Sequence, residues 1–588
     1  MTELLCRGLR DETVSILIGG EAGQGITRSG SLLGRALMRG GLHVFGTNEY
    51  PSLIRGGHNY YLLRTSAREV YSQDEGVDIV IALNKETALL HEAEIHQGGY
   101  ILVDEATQFA EGELRRGDVR VYRIPFSAIV KELGGPDIMR NTVALGACVS
   151  LLGFDHAVLK EVVAATFSKK EVADMNRAAI DRGHAFAREK YYGFNCELNG
   201  SGVRGERILP TGNDAVALGA VSAGCGFYAA YPMTPASAIL DYMAAHDQET
   251  GMVVIQAESE IAAMNMVVGA GYGGVRAMTA TSGGGFCLMT EALGLAAMSE
   301  TPVVVNIGQR PGPSTGLATH SAQGDLLFAI HASQGEFPRV VLAPGDADEC
   351  FQLTKRAFNL AERFQIPALI LTDKYLAESE RDTPPFDEGL VPIDRGKLHA
   401  EPEWAGGEYK RYELTGDGVS PRAIPGARGA FVVATSNEHR ETGYSTSDPE
   451  AVVAMVDKRF RKLPHIAEAV SGLETVKTHG DPSAEVLMVG WGGTKGPILE
   501  AMLLLEREGV KSRFLQVVFM EPFPAERVRE ELVKAKTVVL FENNVTAQLG
   551  ELIRLHTGIR IENTGLRYDG RPFNPSQIKK RVMEVLRT

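Results

Sequence analysis

Three consecutive stretches decide the fold: YAAYPMTPASAIL (228–240), VVIQAESEIAAMNMVVGAGYGGVRAMTATSGGGFCLMTEALGLAAMSE (253–300) and TPVVVNIGQRPGP (301–313). Short apolar runs such as Val303-Val304-Val305-Asn306-Ile307 alternate with longer segments of helical period, and each junction carries Gly, Ser, Thr or Pro. That alternation predicts a parallel α/β sheet, whose ligands sit at the junctions. Four junction groups are placed to meet there: Thr234 between two prolines, Glu260 opening an apolar helix, the turn Ser282-Gly283-Gly284-Gly285, and Gln309-Arg310 after a strand. Each also has a purely structural reading. Glu260 suits the positive end of a helix capped by Ser259, and Thr234 suits an N-cap ahead of Pro235.

Outward from this stretch, 588 residues exceed one core, and the length suggests three or four domains. The 65 glycines point to many tight turns and close backbone approaches. Net charge is −14 and no basic tract occurs, which argues against nucleic acid as a partner. The six cysteines are scattered without a CxxC pair, so neither a zinc site nor an iron–sulfur framework is expected, and a cytoplasmic, reducing setting is. No apolar run is long enough to span a membrane.

The expected fold class is α/β, with three doubly wound or transketolase-like domains joined by linkers. Residues 1–190 form the first α/β domain, 191–208 a linker, 209–385 the second domain, 386–480 an extended connector with a helix at 449–463, and 481–588 a third α/β domain. In the first, the turn GGEAGQG (19–25) follows a strand and opens a helix, which suits either a phosphate cradle or a packing turn. Arg55-Gly56-Gly57-His58 places two cationic groups on a glycine loop, read alternatively as a solvated turn. HEAEIH (91–96) has histidines five apart and reads as surface helix rather than a zinc helix. Gly416-Asp417-Gly418 is a turn without the strand-to-helix setting of a diphosphate site, because the prolines after it bar a helix.

The segments YPMTPAS (231–237), AESEIAAMNMVVGAGYGG (257–274), TATSGGGFCLM (279–289), RPGPSTGLATHSAQGDL (310–326) and GEFPR (335–339) resemble the α subunit of 2-oxoacid:ferredoxin oxidoreductases. GGEAGQG and EYPSLIRGGHNYYLLRTS resemble that family's γ subunit, fused ahead of α. Fused γ–α chains are most similar in the 2-oxoglutarate branch. His320 stands where the family usually has Arg, which leaves pyruvate, branched-chain and aryl oxoacids open.

The resemblance implies a thiamine-diphosphate enzyme to which this chain supplies the pyrimidine side of the cofactor site. Glu260 is then the carboxyl bonded to the pyrimidine ring nitrogen, Thr234 faces substrate, and Ser282, Gly283 and Gly284 let the backbone approach. It implies no metal site here: Mg²⁺, the diphosphate and a [4Fe-4S] cluster belong to a β subunit. Coenzyme A is the co-substrate, ferredoxin the electron acceptor, and a dimer of αβ units the expected assembly. Arg310 is the group expected to hold the substrate carboxylate, with His320, Arg55 and His58 as candidates for a distal one. Two other classes stay open on the residues alone: an NAD-dependent dehydrogenase, resting on GGEAGQG, and a non-catalytic assembly subunit.

Overall fold

The computed structural model describes residues 13–52, 56–191 and 205–587, which fall into two compact units. The first comprises residues up to Pro210 with Glu378–Pro385 and Asn574–Ser576. Its sheet contains β1 (Thr13–Glu21), β2 (His43–Glu49), β3 (His58–Ser66), β4 (Val77–Ala82), β5 (Ile95–Asp104) and β6 (Arg120–Ile124). The order is β2-β3-β1-β4-β5-β6, parallel from β1 to β6 and antiparallel through β3 and β2. A seventh strand, Glu380–Arg381, lies antiparallel on β2. It is secured by Tyr61 Oη and Ser31 Oγ donating to the Glu380 carboxylate and by Val44 N–H donating to Asp382. The sequence had placed residues 378–385 at the end of the second domain; a two-residue strand is too short to announce its partner.

Two local expectations in this unit are corrected. HEAEIH is no surface helix: the helix Lys85–His91 ends there, Glu92–Glu94 is a single 3₁₀ turn, and β5 starts at Ile95. His91 is buried, and its Nε2 lies 2.7 Å from Nε2 of His58, which begins β3 rather than a solvated turn. In the GGEAGQG turn, Gln24 Oε1 accepts from Glu21 N–H, and Asn141 Nδ2 donates to the Gln24 carbonyl.

The second unit holds residues 211–377, 386–573 and 577–588. Six parallel strands form its larger sheet: β7 (Phe227–Ala230), β8 (Val253–Gln256), β9 (Ala277–Thr281), β10 (Val303–Gln309), β11 (Val340–Leu342) and β12 (Pro367–Asp373), in the order β11-β12-β10-β9-β7-β8. β9 to β12 are buried along both faces, as in a sheet covered on both sides. From β7 the chain winds to β8 on one side and to β9 on the other. The strand order therefore reverses at β7, and a crevice at the carboxyl ends is expected there.

A smaller sheet comprises β13 (Val476–Gly480), β14 (Val486–Gly490), β15 (Ser512–Val517), β17 (Thr537–Glu542) and β18 (Asn563–Leu566), in the order β13-β15-β14-β17-β18. Between β15 and β17, β16 (Phe519–Glu521) leaves this sheet and pairs antiparallel with β11, extending the larger one. The expected connector thus ends early, since residues 476–480 are a strand of the smaller sheet. From 386 to 448 the chain does lack a sheet of its own, apart from Leu398–His399 beside Arg422–Ala423. Ion pairs on buried carboxylates hold down this segment and the two helices after it. Glu362 receives Arg276, Arg395 and Arg422, and Glu300 receives Lys458 and Lys462 from the helices Pro449–Phe460 and Lys462–Ser471. Among the described residues no helix is long and apolar enough to cross a membrane.

Candidate active site

Helix α1 (Glu260–Tyr272) follows β8 because Ser259 turns the chain and caps it, its Oγ accepting from Ala262 N–H at 3.2 Å. Glu260 is the first helical residue and only 4% exposed. Its Oε1 is buried and has no protein hydrogen-bond partner. Opposite it, β9 ends at Thr281-Ser282 and helix α2 (Gly283–Met298) begins. A Cβ on Gly285 would overlap Thr281 Oγ1 and stand 2.7 Å from Glu260 Oε1, so only glycine lets this carboxyl lie against the helix. Thr281 Oγ1 and Ser282 Oγ are buried without partners as well. Each such orphan costs roughly 1–3 kcal/mol. Several converging at one set of strand ends mark a place shaped for a polar ligand.

Arg310 leaves the end of β10 and donates from Nη1 to the Thr234 carbonyl at 2.9 Å, which ties the β10 exit to the turn after β7. Burial lowers the Arg310 guanidinium's pKa, while Asp325 and Glu260 favour its charge. Thr234 is not the N-cap expected for it: the next helix starts at Ser237, after Ala236, with no side-chain cap.

Sequence reasoning missed Asp325, which follows the Arg310 loop. Its backbone N–H donates to Gln309 Oε1 at 3.0 Å and its Oδ2 is buried without a partner. A Cβ on Gly283 would overlap that carboxyl. Burial pushes Asp325 up to about 6, with Arg310 pulling the other way. The loop is fixed by the C-terminal sheet: Gln323 Nε2 donates to the Trp491 carbonyl at 2.8 Å, Asn543 N–H to Gln323 Oε1 at 3.0 Å, and Asn544 Nδ2 to the Gln323 carbonyl at 3.0 Å. Only the QGD spelling, without a periodic signal, was present in the sequence to point to it.

Glu260, Ser282, Gly283, Arg310 and the Thr234 backbone meet at these strand ends, and Gly284 is exposed on the first turn of α2. His320 instead packs against Gly570 of the C-terminal domain and lies 3.3 Å from Thr319 Oγ1 through Nδ1. His58 sits in the first unit against His91, and burial followed by the nearby His91 lowers its pKa. Arg55 lies outside the described residues. Gly416-Asp417-Gly418 is a surface turn in which Asp417 accepts from Lys397 Nζ at 2.8 Å and Val419 N–H at 3.1 Å.

Three family models match in chain order: pyruvate ferredoxin/flavodoxin oxidoreductase over residues 15–186, the thiamine-diphosphate-binding part of pyruvate flavodoxin/ferredoxin oxidoreductase over 218–458, and pyruvate:ferredoxin oxidoreductase core domain II over 484–578. The α subunit of 2-oxoacid:ferredoxin oxidoreductase 2 from Aeropyrum pernix is 35% identical, with 98% of each chain covered. The chain belongs to the 2-oxoacid:ferredoxin oxidoreductase family. Another member, subunit α from Saccharolobus solfataricus, is 33% identical over 97% of this chain and 98% of its own. A solved 2-oxoglutarate:ferredoxin oxidoreductase from Magnetococcus marinus, with 2-oxoglutarate, coenzyme A and succinyl-CoA bound, is 36% identical, with a TM-score of 0.89 over 98% of this chain and 100% of that one. As an α subunit of this oxidoreductase family, the chain works within a multi-subunit enzyme. The dehydrogenase reading gives way, since its GGEAGQG turn falls inside the first family match.

Proposed function

We propose that this chain is the α subunit of an enzyme converting 2-oxoglutarate, coenzyme A and oxidised ferredoxin to succinyl-CoA, CO₂ and reduced ferredoxin. A β subunit carries the Mg²⁺ and diphosphate site and a [4Fe-4S] cluster, and the enzyme is a dimer of αβ units in the cytoplasm. The observation that carries the reading is the buried, unpartnered Glu260 Oε1 beneath Gly285. An aminopyrimidine fits it, because a ring nitrogen and a carboxyl oxygen share one proton where no other partner exists. Thiamine diphosphate, when bound, supplies the nucleophilic carbon and the electron sink for oxidative decarboxylation.

The chain's own residues do the rest. Glu260 holds the proton at Oε1, and Gly285 keeps the approach open. Ser282 Oγ and the bare backbone of Gly283 and Gly284 offer hydrogen bonds at the start of α2. Arg310, braced on the Thr234 carbonyl, presents a fork that matches a carboxylate, and Thr234 lies beside it to face the oxoacid. A dicarboxylate needs a second cation, for which His320 is the candidate within this unit. The likeness to the Magnetococcus marinus enzyme, with 2-oxoglutarate bound, supports that substrate.

The test is a substrate panel on the purified complex. 2-Oxoglutarate is expected to give a higher kcat/KM than pyruvate, branched-chain or aryl oxoacids, and a preference for a monocarboxylate would overturn the assignment. Arg310→Lys keeps the charge but loses the fork, and kcat/KM should fall roughly 10–150-fold, the equivalent of about 1.5–3 kcal/mol. Unchanged kinetics with every oxoacid would place carboxylate recognition elsewhere. Gly285→Ala drives a methyl group into Thr281 and Glu260. At about 1–3 kcal/mol for overpacking, the complex should hold thiamine diphosphate roughly 5–150-fold more weakly in equilibrium dialysis.

A further inference from the structure

The triple-glycine turn is flanked by carboxyls on both sides, Glu260 against Gly285 and Asp325 against Gly283. We propose that Asp325 couples oxoacid binding to protons, taking one up as the substrate's carboxylate reaches Arg310. The inference rests on the reading of Arg310 as the carboxylate receptor and adds a positioning role for a residue outside that reading.

Three observations carry it. First, Asp325 Oδ2 is buried and has no donor, so its ionised form is held in place without a hydrogen bond at that oxygen. Second, Arg310 and Asp325 interact electrostatically without a direct ion pair among the described residues, and each group's charge favours the other's. Third, the segment that carries the carboxyl is held in place. Its backbone is pinned to Gln309, and the preceding residues are pinned through Gln323 to the Trp491 and Asn543 turns. An incoming carboxylate brings a second negative charge to Arg310 and meets a fixed like charge. Like charges that close cannot both remain ionised cheaply, and Asp325 is the one burial has already poised near neutrality, at about 6. The other charged and titratable groups around this pair are Glu260 from α1, whose charge bears on Arg310, and Cys287 from α2, whose thiol is raised by burial and then by Asp325.

The sign follows. Below about pH 6 the free site already holds the proton, and binding is independent of pH. Above it, binding must draw a proton from solution, so KM for the oxoacid rises with pH, by as much as tenfold per unit. The experiment uses the assembled enzyme from pH 5.5 to 8.5. Wild type should show that rise. Asp325→Asn, which keeps the shape and cannot ionise, should give a flat profile and a lower KM than wild type at pH 8, an improvement no loss of mere support would produce.

Calorimetry gives a readout free of turnover. 2-Hydroxyglutarate, which lacks the reactive carbonyl, titrated at pH 7 in two buffers of different ionisation enthalpy, should show uptake of close to one proton per site, absent in Asp325→Asn. No uptake in wild type, or equal uptake in both proteins, overturns the inference, and the wild-type measurement stands even if the variant does not fold. Arg310→Lys separates the two readings. If it leaves KM unchanged, the carboxylate is read elsewhere; if it raises KM while wild type shows no proton uptake, only the role of Asp325 falls.

Discussion

Glu260→Gln is expected to leave the complex assembled and to slow deprotonation of the cofactor's C2 by about 10²–10⁴-fold, the span of general acid–base catalysis. The amide fits the same space beneath Gly285, and Ser259 still caps the helix, so packing gives no reason for misfolding. What is lost is a group able to share a proton at Oε1, an atom with no other protein partner. Hydrogen–deuterium exchange at C2, followed by quenching and proton NMR, isolates this step from ferredoxin reduction. Near-normal exchange would remove Glu260 from the chemistry and leave it as a helix-capping charge. The contrast with Arg310→Lys is diagnostic, because that change should weaken the use of oxoacid while C2 exchange continues.

The second large effect concerns stability. Glu300 is about 1% exposed and takes Lys458 Nζ on both oxygens, at 2.6 and 2.8 Å, and Lys462 Nζ at 2.6 Å. Burial alone would raise this carboxyl, but Lys462, Lys458 and then Arg411 outweigh it and hold it well below the ordinary range. Its contribution to stability is therefore fully present above the usual carboxylate pKa and is lost as pH falls through the depressed value. Glu300→Gln strands two buried ammonium groups, and removing one partner of such a pair costs about 3–5 kcal/mol. The denaturant midpoint of the second unit should fall accordingly. The triple change of Glu300, Lys458 and Lys462 to methionine should recover part of the loss, since both ammonium groups leave with the carboxylate and only Arg411 keeps its charge, hydrogen-bonded to Gln365 Oε1 and to the Ser299 and Glu300 carbonyls. If the single variant matched wild type, the cluster would be incidental to how residues 411–462 are held.

Much of this organisation was legible because it is local. The alternation of apolar runs and helical segments places β7 to β10 and their helices directly, and Ser259-Glu260 announces its own cap. What escaped is set by distant partners. Nothing near Asp325 reveals that it will press on Gly283, and nothing near Phe519–Glu521 reveals that it will leave its own sheet to pair with β11. Thr234 misled for a related reason. Thr-Pro suits a cap in isolation, but here its carbonyl answers Arg310 from another strand. His91 misled through spacing, since its burial comes from β3 and not from its own helix.

The strand at Glu380–Arg381 has a bearing on synthesis. The helix Lys170–Lys190 completes the locally encoded part of the first unit, and the strand that covers β2 arrives roughly 190 residues later. At about 5–20 residues per second, the nascent domain waits some 10–40 s with the His43–Glu49 edge bare. Tyr61 and Val44 wait as long for Glu380 and Asp382. An open edge of that kind templates pairing with any neighbouring chain. On a crowded polysome the interval before residue 381 emerges is thus the one in which this subunit has most need of a chaperone.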